Sequence, residues 1–268
     1  MGAEAYVPTR DELKTTLNQV AADYDEVRPG YPEELIDDVI SLARLSTEDR
    51  ILEVGCGTGL ATRPFAQRGY NLLSIDIGPD MVELAERNLS SYPNVTLQCV
   101  SFEDLDKSAG DFDLMISASA FHWIDPKTGY QLVANRLARS GAMAIFTHYH
   151  PPPYEGFFDA VQDVYQRVVP EWPAPREGAP IETTISKHND AIYRSGAFGP
   201  VTVKTYPWSR DLTTAQYLKL LNAFSEHRLL EPSRRADLFD GVANLIDKAY
   251  GGIVSRPYMT TLYFAHKR

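Results

Sequence analysis

Ile51-Leu52-Glu53-Val54-Gly55-Cys56-Gly57-Thr58-Gly59 constrains this chain more than any other stretch. An apolar run ends in three glycines at alternate positions, and a helical pattern follows. Glycine lets the backbone take positive φ and come close to a ligand. The helix that follows offers free N–H groups and the positive end of its dipole to an anionic group. A strand, a glycine turn and a helix in that order point to a nucleotide-like cofactor on a parallel sheet.

The chain on either side agrees. Short apolar runs recur at Leu72–Ile75, Val95–Val100, Leu114–Ser117 and Ala142–Thr147. They are nearly continuous rather than alternating, as strands buried on both faces should be. Amphipathic segments separate them. One follows Gly59, one carries Met81, Leu84, Ala85 and Leu89, and one spans Tyr130–Ala138. Strand and helix in this rhythm predict an α/β fold with a parallel sheet and crossover helices. A further helix is expected from Pro32 to about Leu45, with Glu33, Glu34, Asp37 and Asp38 favouring its positive end.

After residue 150 the pattern changes. Residues 155–169 read as a helix, 170–200 are rich in Pro and Gly, and Val201–Trp208 alternates like a strand. Helical stretches follow at about 213–226 and 234–249, and Tyr258–His266 reads as a final strand. The late helices between those two strands are expected to form a lid or substrate-recognition insertion. The implied organisation is an N-terminal segment or lid at 1–32, a cofactor-binding core at 33–150, and remaining strands with a helical insertion at 151–268.

Charge narrows the function. Lys and Arg number 26 against 36 Asp and Glu, giving a net −10. That argues against non-specific nucleic-acid binding, which needs cations to neutralise phosphates. The two cysteines are too few for a disulfide framework, so a reducing cytoplasm is expected. No apolar run approaches a membrane span. The first twenty residues lack the basic start and apolar centre of a secretory signal. Nothing in the sequence fixes the oligomeric state.

The second chemical signal is Asp76, at the end of the next apolar run and 17 residues after Gly59. A carboxylate there can accept two hydrogen bonds from a ribose diol. Dinucleotide sites use Gly-x-Gly-x-x-Gly/Ala. Counted from Gly55 the sixth position is Leu60, and from Gly57 it is Thr62, so the fit to a nicotinamide fold is poor. The pattern Glu-x-Gly-x-Gly-x-Gly instead resembles motif I of class I S-adenosylmethionine-dependent methyltransferases.

The resemblance extends over roughly 20–150. It implies a Rossmann-like, doubly wound, seven-stranded sheet, mostly parallel with an antiparallel last strand, plus a helical lid or insertion. It also implies cofactor roles for particular residues. Glu53 would orient the methionine amine, and Gly55, Cys56, Gly57 and Gly59 would pass beneath the methionine and ribose. Asp76 would hold the ribose, with Ile77 and Met81 against the adenine. Phe102 and Glu103 would recognise the adenine edge, with Asp104 as the alternative carboxylate. Ser117 and Ala118 would offer backbone to the methionine portion. The stretch Phe121-His122-Trp123 resembles the small-molecule branch, with His122 as a catalytic candidate and Trp123 facing the acceptor. Tyr24-Asp25-Glu26-Val27-Arg28-Pro29-Gly30-Tyr31-Pro32 resembles the N-terminal motif of relatives of trans-aconitate methyltransferase and of type 11 methyltransferases. Tyr24 and Arg28 would belong to the cofactor site, and a guanidinium suits a carboxylate tail.

The expected activity is methyl transfer from S-adenosyl-L-methionine to a small-molecule acceptor, without metal and without a protein nucleophile. The alternatives are a nicotinamide-dependent oxidoreductase and a cofactor-binding module without catalysis. His148-x-His150 could share one strand face, but no third metal ligand stands near it in sequence. Pro151-Pro152-Pro153-Tyr154 lacks the Asn of the amino-methyltransferase motif and follows the wrong strand. Both are set aside.

Overall fold

The computed structural model describes residues 25, 27–125, 127–150, 155–172 and 181–268. Tyr24, most of the expected 1–32 lid and the Pro151–Tyr154 stretch lie outside the described residues.

The described chain opens with α1 (Glu33–Ala43). It then alternates β1 (Arg50–Val54), α2 (Thr62–Gln67), β2 (Asn71–Asp76), α3 (Pro79–Asn88), β3 (Val95–Cys99), β4 (Phe112–Ala118), α4 (Gly129–Arg136) and β5 (Leu137–Tyr149). Two further helices, α5 (Phe157–Val168) and α6 (Ile181–Arg194), precede β6 (Thr202–Thr213). Helices α7 (Thr214–Asn222), α8 (Ser225–Arg228) and α9 (Pro232–Ala249) lie between β6 and β7 (Ile253–His266).

The strands form one seven-stranded sheet in the order β3-β2-β1-β4-β5-β7-β6. β1 to β5 are parallel. β7 runs antiparallel to both of its neighbours. This is the mostly parallel, Rossmann-like sheet that the motif implied. Chain order reverses between β1 and β4, and ligands bind at the carboxyl ends of strands beside such a reversal.

Burial explains the nearly continuous apolar runs. Ile51, Leu114 and Ala144 face one side of the sheet, where α1 supplies Leu35, Ile36 and Val39 and α2 supplies Phe65. Leu52, Met115 and Met143 face the other side, against Tyr130 and Val133 of α4 and Ile192 of α6. Each fully buried large side chain contributes roughly 1.5–3 kcal/mol. A third apolar cluster lies under the cap. There Phe157, Val161 and Val164 of α5 meet Tyr217 and Leu220 of α7 and Leu238, Val242 and Ile246 of α9.

Several boundaries differ from the sequence expectation. α4 stops at Arg136, whose guanidinium donates to the carbonyls of Asp106 and Leu105, and β5 starts at once. α6 falls within the stretch read as rich in Pro and Gly. Its apolar spacing, Ile181, Ile185 and Ile192, was the overlooked helical signal. β6 runs on to Thr213 and β7 begins at Ile253, both well beyond the apolar runs. The polar residues Ser209–Asp211 and Ser255–Arg256 hide that extension in the sequence. The expected 213–226 helix is two helices. Thr213 starts the first with a reciprocal cap involving Gln216, and this capping box fixes where the strand ends.

Candidate active site

The glycine loop joins β1 to α2, and each glycine answers a different demand. At Gly55, with φ +77, a Cβ would meet the Ala120 Cβ at 2.3 Å, so the loop could not pass the β4 segment. At Gly59, with φ +88, it would strike Leu89 at 2.7 Å. At Gly57, with φ +54, a Cβ would meet nothing within 4 Å, so this position faces open space. Positive φ costs an L-residue roughly 1–2 kcal/mol.

Asp76 ties this loop to the next. Its Oδ2 accepts from the Gly57 N–H and its Oδ1 from the Gly78 N–H, both at 2.9 Å. Burial pushes its pKa up, and those backbone bonds pull the other way. Each oxygen retains a lone pair for a ligand hydroxyl. Asp76 is therefore a structural clasp as well as a cavity wall.

An open cleft lies above the loop, about 860 Å³ out to its solvent mouth. Gly55, Gly57, Asp76, Ile77, Met81, Phe102, Glu103, Ala118 and Trp123 line it. Ile77 is 45% exposed, an apolar side chain that a flat ring would cover. Asp104 does not line the cleft, because its carboxylate accepts from the Ser101 hydroxyl at 2.7 Å. Of the two candidate carboxylates, only Glu103 borders the cleft. An adenosine cofactor fits these residues: a ribose acceptor, an uncovered apolar shelf and an acidic rim.

Other predicted residues lie elsewhere. Glu53 is fully buried behind the loop, where its Oε2 accepts from Thr62 at 2.5 Å and from Ser74 at 3.2 Å. Oε1 has no hydrogen-bond partner. Burial pushes the Glu53 pKa up to about 7, against the pull of those two hydroxyls. Cys56 is buried beside it, and burial raises its thiol well above the usual range. Ser117 is buried too, its hydroxyl donating to the Val54 carbonyl at 2.9 Å. Gly59 packs on Leu89 rather than facing the cleft. Arg28 does not line the cleft either. Its guanidinium lies 5.0 Å from the Phe224 ring centroid, under the cap.

His122 and Trp123 share a short 3₁₀ turn, Phe121–Trp123, with their rings 4.6 Å apart. They face different spaces. Trp123, expected at the acceptor, lines the loop cleft. His122 lines a second cavity of about 1110 Å³ on the same measure. A 3₁₀ turn, with about three residues per turn, points successive side chains about 120° apart, which parts the two rings between the cavities.

Sequence reasoning missed this second cavity. Phe121, Tyr130, Ile145, Tyr149 and Tyr263 give it aromatic and aliphatic walls, and Lys187 and His188 of α6 stand at it. Tyr149 and Tyr263 bring their hydroxyls to 3.5 Å, and burial raises the Tyr130 pKa to about 12. The two cavities share Ser119, Ala120 and Ile124. Ser119 is a non-glycine residue at φ 54, and its Oγ accepts from the Tyr31 hydroxyl at 3.1 Å.

The fold and this cleft are those of a class I S-adenosylmethionine-dependent methyltransferase, and the comparisons agree. Residues 51–141 match the family model of a methyltransferase domain. An uncharacterised methyltransferase-like protein of Schizosaccharomyces pombe is 24% identical over 80% of this chain and 78% of its own length. A probable S-adenosylmethionine-dependent methyltransferase of Saccharomyces cerevisiae is 28% identical over 56% of this chain and 52% of its own. Several other curated relatives are also matched over about half their length. Among solved structures, Haemonchus contortus phosphoethanolamine N-methyltransferase 2, bound to phosphomonomethylethanolamine and S-adenosylhomocysteine, superposes with a TM-score of 0.55. It is 15% identical and covers 99% of this chain and 61% of that one. At that identity the likeness concerns the fold. Residues 51–141 are a methyltransferase domain, and the similarities single out no trans-aconitate branch.

No helix among the described residues is long and apolar enough to cross a membrane. Nor do the described residues contain a group of three or more His, Cys, Asp or Glu able to hold a metal ion.

Proposed function

We propose that this chain transfers a methyl group to a small-molecule acceptor held in the second cavity. The observation that carries the reading is the shared wall of Ser119, Ala120 and Ile124 between the two cavities. A cofactor in the loop cleft and an acceptor in the aromatic cavity would meet there. A bound S-adenosylmethionine supplies a methyl carbon already activated by a sulfonium leaving group.

The protein's contribution is positioning. Asp76 holds the ribose diol, Ile77, Met81 and Phe102 flank the adenine, and Glu103 accepts from its amino group. Trp123 closes that side. The backbone at Gly55, Gly57 and Ala118 borders the methionine portion. Across the shared wall the residues of the two cavities would hold an acceptor lone pair facing the methyl group, which the bound cofactor would supply, leaving as S-adenosylhomocysteine. Alignment in a water-poor space supplies most of the rate enhancement. His122, on the acceptor side, takes a proton when the acceptor arrives protonated. No carboxylate lines the second cavity among the described residues, which favours a neutral or anionic acceptor over a cationic amine.

Methyl-labelled S-adenosylmethionine incubated with a metabolite extract tests the activity, and a labelled small molecule is the expected product. Calorimetry with S-adenosylhomocysteine tests the cleft. Asp76→Ala removes ribose hydrogen bonds to a charged acceptor, each worth about 1.5–3 kcal/mol, so affinity should fall by at least ~10-fold. Unchanged affinity in a folded variant would place the ribose elsewhere.

A further inference from the structure

The second cavity has two chemically different sides. Its near side is the wall of Ser119, Ala120 and Ile124 shared with the loop cleft. Its far side is set by the sheet. Ile145 of β5 pairs with Ser117 of β4 on one flank and with Tyr263 of β7 on the other. Neighbouring strands lie about 4.8 Å apart, so the Tyr263 backbone stands roughly 10 Å across the sheet from the strand that runs on into Ser119 and Ala120.

Hydrogen-bond donors gather at that far side. Tyr149 and Tyr263 bring their hydroxyls to 3.5 Å. If one donates to the other, one O–H of the pair is left for a ligand. The His188 ring of α6 lies 5.2 Å from that of Tyr263, and Lys187, its neighbour on the helix, lines the same cavity. Tyr130 adds a third phenol. Burial raises the pKa of all three phenols, so each keeps its proton near neutral pH. Burial lowers that of His188, which is therefore neutral there. Lys187 is the one lysine or arginine among the described residues lining the cavity. It is exposed and forms no ion pair among the described residues.

We infer that Tyr149, Tyr263 and Lys187 anchor a carboxylate that the acceptor carries at the end remote from the atom to be methylated. The inference rests on the proposal that the second cavity holds the acceptor, and it names the substrate class as a flat acid with a single negative charge. One carboxylate oxygen meets the free phenol hydroxyl and the other the ammonium, and hydrogen bonds to an ionised acceptor are the stronger kind. A charge taken from water needs a partner, and one ammonium matches one carboxylate better than a doubly charged phosphate. Phe121 and Tyr130, with ring centroids 5.0 Å apart, offer aromatic surface to an unsaturated body. The span of roughly 10 Å leaves room for one ring or a short conjugated chain between the carboxylate and the shared wall. Holding the acid at that distance aligns the opposite end with the methyl group and keeps the carboxylate itself from being esterified.

Calorimetric titration of trans-cinnamate and of its uncharged amide, cinnamamide, into the full chain saturated with S-adenosylhomocysteine tests the anchor. Cinnamate should bind saturably and about tenfold or more tighter than the amide. Lys187→Ala and Tyr263→Phe should each narrow that gap several-fold, and Lys187→Arg should keep most of it. Affinity for S-adenosylhomocysteine should stay unchanged in all three variants, because neither side chain lines the loop cleft, and it reports that each is folded. Tyr263→Phe removes a single atom from a buried ring, and exposed Lys187 carries the test if that variant does not fold. In the extract assay the labelled product should be retained on an anion exchanger and keep its label in mild alkali. Equal binding of acid and amide, binding of neither, tighter binding of phenyl phosphate than of cinnamate, or labelled methanol released by alkali overturns the inference. An extract that yields no labelled product, while cinnamate still binds through Lys187 and Tyr263, counts against the proposed reaction and supports the anchor.

Discussion

The loop cleft is built largely from backbone, and the capped end of the sheet largely from side chains. In the cleft, Gly55 and Gly57 clear space and the Asp76 carboxylate fastens two turns through their N–H groups. Its loop and clasp come from a short stretch of chain, residues 55 to 78. Under the cap, Arg28, Phe158, Arg210, Phe224 and Arg256 come from five separate stretches and meet only as side chains. A site made of backbone tolerates little change at its glycines. A cluster made of side chains can be altered one group at a time while the frame stands.

The sharpest way to break this comparison is Gly55→Val. It forces a Cβ into the Ala120 methyl at a position of positive φ. Binding of S-adenosylhomocysteine should be lost, with a stability cost of about 2–5 kcal/mol from the backbone strain and overpacking combined. Calorimetry and urea unfolding would show both effects. A variant that still binds would mean that the loop can move aside.

Leu238→Ala probes the other region. Leu238 is fully buried in the cap cluster, so unfolding should cost about 3–4 kcal/mol less. Cofactor affinity should stay within about a factor of two, because the cleft is distant and shares no partner with it. A large loss of affinity would show that cap and cleft act as one unit.

Glu53 offers the smallest effect and a pH signature. Its folded-state carboxyl holds a proton up to about 7, whereas the ordinary value is 4.5. Between those values the folded state binds more protons than the unfolded one. Stability from this group is therefore fully present below about 4.5 and is lost as pH rises through 7, a change on the order of 3 kcal/mol. Glu53→Gln should flatten that part of the profile and leave the protein more stable than wild type at pH 8. Urea unfolding at pH 6 and pH 8 would decide it, and an unchanged slope would mean that Glu53 is ionised when folded.

The loop cleft was legible because glycine spacing is local. Gly55, Gly57, Asp76, Ile77, Met81, Phe102 and Glu103 all border it. The parallel half of the sheet followed from apolar runs with helices between them. Glu53 and Ser117 were adjacent in sequence to cleft residues, yet the strand pleat turns them into the core, and Cys56 is buried within the loop itself. The second cavity was not legible, because Tyr130, Tyr149, Lys187 and Tyr263 lie on four different elements whose approach no local pattern records.

The sequence by itself determined the parallel sheet, the glycine turn and the acid that clasps it, since period, positive φ and strand-end position are properties of neighbouring residues. Only the tertiary structure decided that Trp123 lines the loop cleft and His122 the aromatic cavity. The same holds for the extension of β6 and β7 through polar residues, which sets Arg210 against Arg256 with Arg28 beside them. Those outcomes depend on which surfaces meet once the sheet closes, and that is settled by burial summed over distant parts of the chain.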